Sequence, residues 1–513
     1  MTLASLLERA VLRHPGADAV VDGDTRLSYA ELGDGTAALA RGLSRLGLGR
    51  GDRVLLVLKN RLEHVLAYWA LQRLGGVPVP VNFRSTPGDL AYLLDDSQAR
   101  VALFEAATAP SVREAARGLD VRLIAVDSQA AAGELTFAQL SDETAAARPP
   151  APMDADLSLI LYTSGTTGRP KGVPRTHRNH YAGTLAHVVQ CGYEWGERTL
   201  GVMPLYHTMG IHALTSMVAV NGCFVCQADW AAAHALRLIE HERLSALYLI
   251  PTLFYDLVHA PELARTDVAS VRKLAYAGAP MLAPLTEACL KAFRPRVFVN
   301  HYGSTEIYTF SVRPDVHLKP GCAGRPGLHS ALRVVRASTE RRVEPDEVVP
   351  AGEKGEIIAR LDSPEAFAGY WNRPDADARA LRRGWYFTGD MGYVDAEGEL
   401  YVAGRVDDMI ISGGENIHPV EVEEALARHP GVRDVAVVGE PDERWGERVV
   451  AFVVPAAPDL TPAALDEYCR EGAGLARFKR PRRIVLVTDI PKTASGKILR
   501  RLLREGRYTE PSR

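Results

Sequence analysis

The chain has 513 residues, a formal charge of −3 and 47% hydrophobic residues; that length exceeds what one hydrophobic core usually supports, so at least two domains are expected. Near-neutral charge excludes the broad basic footprint of a nucleic-acid binder, and no apolar run approaches the roughly 20 residues that span a bilayer. Six cysteines in so long a chain do not make a disulfide framework, so a soluble, cytoplasmic protein of enzyme size is expected.

Residues 1–12 have the spacing of an amphipathic helix without the long apolar centre of a secretory signal. Segments 53–58 and 77–81 are strand-like, with helical spacing over 61–74 between them. Segments 246–250, 273–277 and 297–300 repeat the pattern, each followed by Pro, Gly or a helix start. Such alternation predicts parallel sheets flanked by helices, with ligands gathering beyond the carboxyl ends of the strands. Cys223 and Cys226 form a C-x-x-C inside the apolar stretch 222–227. No second pair follows, and a zinc site needs about four ligands, so a buried strand is expected there. From about residue 345 the texture changes to short strands and turns, such as 355–360 and 399–403. Beyond Arg405 comes a compact helix–strand–strand–helix–strand unit containing 420–428, 435–438, 449–454 and 483–487. The predicted fold class is α/β. A large N-terminal domain (1–404) holds parallel sheets flanked by helices plus a small β-barrel-like subdomain. A hinge (405–408) leads to a small mobile α+β C-terminal domain (409–513).

The densest chemical signal is the run Tyr-Thr-Ser-Gly-Thr-Thr-Gly-Arg-Pro-Lys-Gly at 162–172, directly after the apolar segment 157–161. Thr163, Ser164, Thr166 and Thr167 supply hydroxyls, Gly165 and Gly168 let the backbone approach closely, and Lys171 supplies charge, as a phosphate loop requires. The order is not that of a Walker A loop. Lysine is scarce, with 9 Lys against 51 Arg. Lys171, Lys479, Lys492 and Lys497 all fall in Gly- or Pro-punctuated segments, which points to positions needing a compact, mobile ammonium.

Residues 162–172 resemble the phosphate-loop signature of the adenylate-forming superfamily. Further segments match in order: Tyr302-Gly-Ser-Thr-Glu306, Tyr386-Phe-Thr-Gly-Asp390, Gly404-Arg-Val-Asp-Asp408, Ser412-Gly-Gly-Glu-Asn416 and Pro491-Lys-Thr-Ala-Ser-Gly-Lys497. The resemblance covers essentially the whole chain. The run 404–419, with 203–207 and 478–481, is most similar to the 4-chlorobenzoate–CoA ligases and related aryl-CoA ligases.

The resemblance implies an ATP-dependent carboxylic acid–CoA ligase, with ATP, Mg²⁺ and coenzyme A as co-substrates and cofactor. A carboxylate must attack the α-phosphorus of a polyanion, so positive charge is needed at the site. Glu306 would hold the metal, Thr305 and Thr166 would bind phosphate oxygens, and Tyr302 would stack on adenine. Gly278, Ala279, Gly303 and Ser304 complete the implied nucleotide site. Asp390, an acceptor-only side chain, suits a ribose diol, and Arg405 would reach ribose or phosphate. Lys497 and His207 join Glu306 as implied catalytic residues, and Asp407 is the implied pivot of the C-terminal domain. Gly413 and Gly414 would line a narrow pantetheine tunnel. Trp445, Phe478, Arg480 and Arg482 would grip the nucleotide end of CoA.

By position the acyl pocket maps to His207, Thr208, Met209, Tyr181 or its neighbours, Ala277, Gly278, His301, Gly303, Tyr308 and Thr309. His301 and Tyr308 depart from the apolar residues of chlorobenzoate ligases. They either read a polar group of the substrate or hydrogen-bond to each other or to backbone. A benzoate-like acid is the expected substrate, with a medium-chain or alicyclic acid as the alternative. A freestanding adenylation enzyme that loads a carrier protein, and a non-catalytic nucleotide-binding regulator, are the other readings. No nucleic-acid or membrane partner is expected, and the chain is expected to be a monomer or homodimer.

Overall fold

The computed structural model describes all residues except 128–129, 142–150, 164–168, 282, 339–340, 414, 494–495 and 512–513, and except the side chain of Asn416. The aliphatic runs form strands because they have cover on both faces, which suits parallel sheets. One such sheet is parallel throughout, in the order Val77–Pro80, Arg53–Val57, Val101–Phe104, Arg122–Ala125, Leu135–Thr136. Helix Leu62–Leu74 joins its first two strands in sequence and is buried on nearly all sides. Val65 and Trp69 pack into the core of the larger sheet, whereas Ala67, Ala70 and Leu71 pack into that of the smaller one. This helix is the wedge between the two.

The larger sheet has fourteen strands among the described residues. Its parallel half runs Asp18–Asp22, Cys223–Cys226, Arg198–Gly201, Ala246–Leu249, Lys273–Tyr276, Val297–Tyr302. Strand Cys223–Cys226 is buried throughout and both thiols are free, so the C-x-x-C belongs to the core. Beyond Tyr302 the sheet becomes antiparallel, through Ser311–Arg313, Cys322–Pro326, Leu400–Arg405, Trp385–Val394, Gly355–Arg360 and Leu332–Val335. The strands expected as a barrel-like subdomain are thus an antiparallel wing, hydrogen-bonded onto the parallel half. A separate hairpin pairs Leu157–Thr163 with Lys171–Thr176.

The C-terminal part has its own five-stranded sheet, in which Arg483–Leu486 lies parallel to Gly446–Pro455. Helices Pro419–Ala427 and Pro462–Glu471 complete the expected order. Alternate residues of its central strands feed two cores: Val437 and Ala451 face Val422 and Leu426, whereas Ala436, Val450 and Phe452 face Val485 and Leu503. A core of its own makes this a separate small domain. A short helix, Arg500–Arg504, follows near the end of the chain. Among the described residues no helix is long and apolar enough to cross a membrane.

Candidate active site

The expected site residues converge beyond the carboxyl ends of the parallel strands, where loops after Arg198–Gly201, Lys273–Tyr276 and Val297–Tyr302 carry His207, Gly278 with Ala279, and Gly303 to Glu306. Hairpin register sets Thr163 opposite Lys171. Ser164, Gly165, Thr166, Thr167 and Gly168, at the tip between them, lie outside the described residues. The Lys171 ammonium stands 4.1 Å from the ring centroid of Tyr370. Burial pulls its pKa down, and the charge of Glu306 opposes that shift. Tyr370 donates to Glu306 Oε1 at 2.7 Å, so one ring orders both charges. Glu306 is buried, and its loop is held from behind. Ser304 Oγ accepts from the amides of Glu306 and Ile307, while Arg175 Nη1 donates to the carbonyls of Thr305 and Glu306.

Asp390 and Arg405 stand directly opposite each other across adjacent antiparallel strands, which is why the two side chains meet. Arg405 Nη1 donates to Asp390 Oδ1 at 2.7 Å, and Tyr302 OH donates to Oδ2 at 2.6 Å. The Asp390 charge raises the Arg405 pKa, while burial followed by the same charge pushes the Tyr302 phenol well up. Tyr302, Asp390 and Arg405 therefore form one ordered unit.

Lys497 arrives from the small domain. Its segment closes on itself, with Thr493 N–H donating to Lys497 C=O at 2.8 Å and Thr493 Oγ1 accepting from Lys497 N–H at 3.1 Å. Gly496, at φ +78°, is buried against the large domain: a Cβ there would stand 3.1 Å from Ile250 Cδ1. Lys497 itself is exposed and lies close enough to His207 to act on it. Desolvation, then the Lys497 charge, push the His207 imidazole down to about 4, so it is neutral at pH 7. His207 occupies the N-cap position of helix Thr208–Ala219, with no side-chain bond to the helix amides.

At the hinge, Asp408 pairs with Arg500 and Arg504 of the small domain, at 3.3 and 3.5 Å. Asp408 is thereby tethered to the small domain, with Asp407 immediately before it in the turn Val406–Asp408.

The rings expected to line the acyl pocket are neutral. His301 is pushed down to about 4 by burial, and Tyr308 is pushed well up. The two rings lie 4.7 Å apart but spend their polar atoms elsewhere. His301 Nε2 pairs with Thr309 Oγ1 at 3.1 Å, whereas Tyr308 OH meets His187 Nδ1 at 2.9 Å and Tyr248 OH at 3.2 Å. Met209, Ala277 and Thr309 are buried around them, and Thr208 and Tyr181 are half-buried.

The profile of the family described as AMP-binding enzyme matches residues 7–371, and that of the AMP-binding enzyme C-terminal domain matches residues 421–497. The chain belongs to the AMP-binding enzymes. It is 34% identical to the 4-chlorobenzoate–CoA ligase of Arthrobacter sp. over 510 residues, covering 98% of this chain and 95% of the relative. It is 37% identical to the feruloyl-CoA synthase of Amycolatopsis sp. over 505 residues, covering 97% of each. Among solved structures, the anthranilate CoA ligase AuaEII in complex with anthranoyl-AMP matches with a TM-score of 0.90 at 27% identity, covering 99% of this chain and 97% of the other.

In this AMP-binding enzyme the expected CoA residues separate into two groups. Trp445, 37% exposed, carries Arg444 at 4.9 Å and Arg482 at 5.7 Å from its ring. Arg480 is instead paired with Asp466 at 3.3 Å, and Phe478 carries Lys479 at 5.5 Å. Gly413 lies under Trp445, where a Cβ would stand 2.8 Å from Cε3, so in this arrangement it faces an indole and not an open tunnel; Gly414 lies outside the described residues. Of the four lysines singled out by scarcity, Lys479 pairs with Glu421 and Lys492 pairs with Asp434 at 2.5 Å. Scarcity therefore marked ion pairs as well as the site. Tyr370, Arg175 and Arg444 went unnoticed in the sequence. Only Arg444, next to Trp445, had a local signal; the other two act on residues far along the chain.

Proposed function

We propose that this protein is an ATP-dependent acid–CoA ligase that activates an aryl carboxylic acid. In the first step a carboxylate oxygen attacks the α-phosphorus of ATP, the bond to the bridging oxygen breaks, and pyrophosphate leaves with acyl-AMP formed. In the second the CoA thiolate attacks the acyl carbon and AMP leaves. Membership of the AMP-binding enzymes and the acid–CoA ligases among the relatives support the reaction class.

The observation that carries the reading is the approach of Lys497, from the small domain, to His207 of the large one. A small-domain cation brought against a large-domain cleft suits the first step, in which charge on the α-phosphate and carboxylate must be offset. Lys171 and the 163–168 loop would hold the outer phosphates, and the Tyr302–Asp390–Arg405 unit the nucleoside. Glu306 fits a magnesium ion: Tyr370 occupies Oε1, leaving Oε2 as a hard oxygen donor in a group whose charge is felt by Lys171. Magnesium is commonly held by one or two carboxylates plus substrate phosphates. When bound it would offset phosphate charge, while Tyr370 and the Arg175-held backbone keep the Glu306 carboxylate aimed. The first step is served by this orientation of the small domain. The second needs a path for the thiol, so we take Asp407, within a hinge at 405–408, as the pivot between two orientations. Trp445 with Arg444 and Arg482, and Phe478, would then meet CoA. Six buried free cysteines suit a reducing cytoplasm.

The test is pyrophosphate release across a panel of benzoates, cinnamates and straight-chain acids, followed by CoA-dependent AMP release. Aryl acids are expected to lead in kcat/KM, because the rings of His301 and Tyr308 shorten the cleft. A higher kcat/KM for octanoate or decanoate than for every aryl acid would overturn the aryl reading. Thioester formation only with a carrier protein would overturn the CoA reading.

A further inference from the structure

Helices His177–Gln190 and Thr208–Ala219 pack together around a buried polar seam. His180, Thr184 and His187 recur at helical spacing on the first, and His212, Thr215 and Ser216 lie one turn apart on the second. Thr184 Oγ1 meets Thr215 Oγ1 at 2.8 Å, and the rings of His180 and His212 lie 5.4 Å apart. Most of the seam is satisfied internally. His180 sits between Ser158 Oγ at 3.2 Å and Tyr68 OH at 3.4 Å, and His187 between Tyr308 OH at 2.9 Å and Tyr193 OH at 3.3 Å. Two atoms differ. His212 Nδ1 and Ser216 Oγ are buried, in residues 3% and 0% exposed, and neither has a hydrogen-bond partner.

A buried polar atom left unpaired costs about 1–3 kcal/mol; other such atoms occur among the described residues, including His64 Nε2, Trp69 Nε1 and Gln72 Oε1 on helix Leu62–Leu74, so these two need a reason beyond being unpaired. Position supplies one. The helix starts just after His207, a residue of the expected acyl pocket, and residues 208, 212 and 216 lie one turn apart along one face. At a rise of 1.5 Å per residue, His212 lies about 7.5 Å along the axis from His207, the scale of one substituted ring. His212 lies flat on Tyr308, with centroids 3.5 Å apart, so the two build one wall. Gly183 makes room for it: a Cβ there would stand 2.8 Å from His212 Cε1.

We propose that His212 Nδ1 and Ser216 Oγ form the distal end of the acyl site and receive a hydroxyl group carried on the ring of the aryl acid. This rests on the ligase reading above and names its substrate class. Desolvation and the neighbouring His180, Arg175, His187 and His301 hold His212 neutral, so no cation there is available for a second carboxylate. The buried guanidinium of Arg175 gives Nη1 to the carbonyls of Thr305 and Glu306, its Nη2 is buried without a partner, and its charge is offset by Glu365 and Glu306. A hydroxyl both donates and accepts, so it satisfies a neutral imidazole in either tautomer together with a serine. A hydrogen or halogen at the same position would leave both atoms unpaired.

The test compares kcat/KM for two pairs, benzoate with 4-hydroxybenzoate and cinnamate with 4-hydroxycinnamate, with terephthalate as the dicarboxylate. The hydroxylated member of the better pair is expected to lead by about 10²-fold, since a site built to bond a hydroxyl discriminates against the analogue lacking it. His212→Leu and Ser216→Ala should each shrink that ratio at least tenfold. His212→Asn, which restores an acceptor near the place of Nδ1, should keep part of it. A purely structural role would change both members of a pair alike and leave the ratio unmoved. A ratio below about 3 in the unaltered enzyme, a ratio unchanged by Ser216→Ala and His212→Asn, or terephthalate as the best acid overturns the proposal. The first of these would mean that water satisfies the two atoms. If benzoate and cinnamate are turned over as well as their hydroxylated partners, the aryl-ligase reading survives and this inference does not. If no aryl acid is activated, both fall.

Discussion

The residues proposed to hold the nucleotide and those proposed to hold the acyl group are built into this structure by opposite means. On the nucleotide side, charged groups stand in prearranged pairs: Asp390 between Tyr302 and Arg405, and Lys171 and Glu306 sharing Tyr370. These partners hold geometry while leaving charge for a polyanion. On the acyl side, burial removes charge altogether, pushing His207 and His301 down to about 4, and hydroxyl and imidazole groups bond one another. The contrast teaches that fixed charge is kept where charge develops in the reaction, and neutral hydrogen bonding where only shape and polarity are read.

Lys497→Ala is the strongest way to break the comparison, because it removes a charge that the small domain brings beside His207. Pyrophosphate formation should fall on the order of 10²-fold or more, while thioester formation from preformed acyl-AMP stays nearly intact. Single-turnover assays of each half-reaction check this, and equal damage to both would mean a single shared arrangement. Tyr370→Phe should rank next. It deletes the hydrogen bond to Glu306 but keeps the ring under Lys171. A hydrogen bond to a charged group is worth about 1.5–3 kcal/mol, so kcat/KM for ATP should fall roughly 10- to 100-fold and the magnesium requirement should rise. The ranking of acids should not move; a changed ranking would show that the two sides are not separate.

The neutral histidines sharpen the contrast through pH. Native His301 and His64 have pKa values lowered to about 4 by burial, against about 6.5 in the unfolded chain. Below about 6.5 the unfolded chain takes up protons that the native state refuses, so stability falls as pH drops from about 6.5 towards about 4, by on the order of 1 kcal/mol or more for each buried ring at pH 5. Thermal melts at pH 7.5, 6 and 5 should show this decline, and His301→Gln should flatten it. A melting temperature independent of pH over that window would contradict neutral burial. The smallest effect is expected from Gly413→Ala. Its Cβ would press on Trp445 and sit at φ +62°, so KM for CoA should rise a few-fold with adenylation unchanged, as separate half-reaction assays would reveal.

Much of this was legible in the sequence. The strands at 53–57, 77–80, 246–249 and 273–276 follow from short aliphatic runs, and the ordered motifs named residues that lie near one another, Lys171 feeling the charges of Glu306 and Arg405, and Arg405 pairing with Asp390. Less legible was what each polar group touches. Arg480 turned to Asp466, Gly413 to Trp445, and Tyr308 to His187 and Tyr248, because those partners are set by how helices and loops pack and not by neighbouring residues.

By itself the sequence determined the family, the alternation that makes parallel sheets, and the residue types of the nucleotide site, since these depend on local patterns and on chemistry that a phosphate imposes directly. Only the tertiary structure decided partnership and protonation. Tyr370 reaches Glu306 across 64 residues and Tyr302 reaches Asp390 across 88. Burial, which no single segment sets, makes the acyl-side histidines neutral. It also leaves His212 and Ser216 as the two unpaired atoms on one helix face, because hydrogen-bond satisfaction is a property of the packed interior and not of the chain.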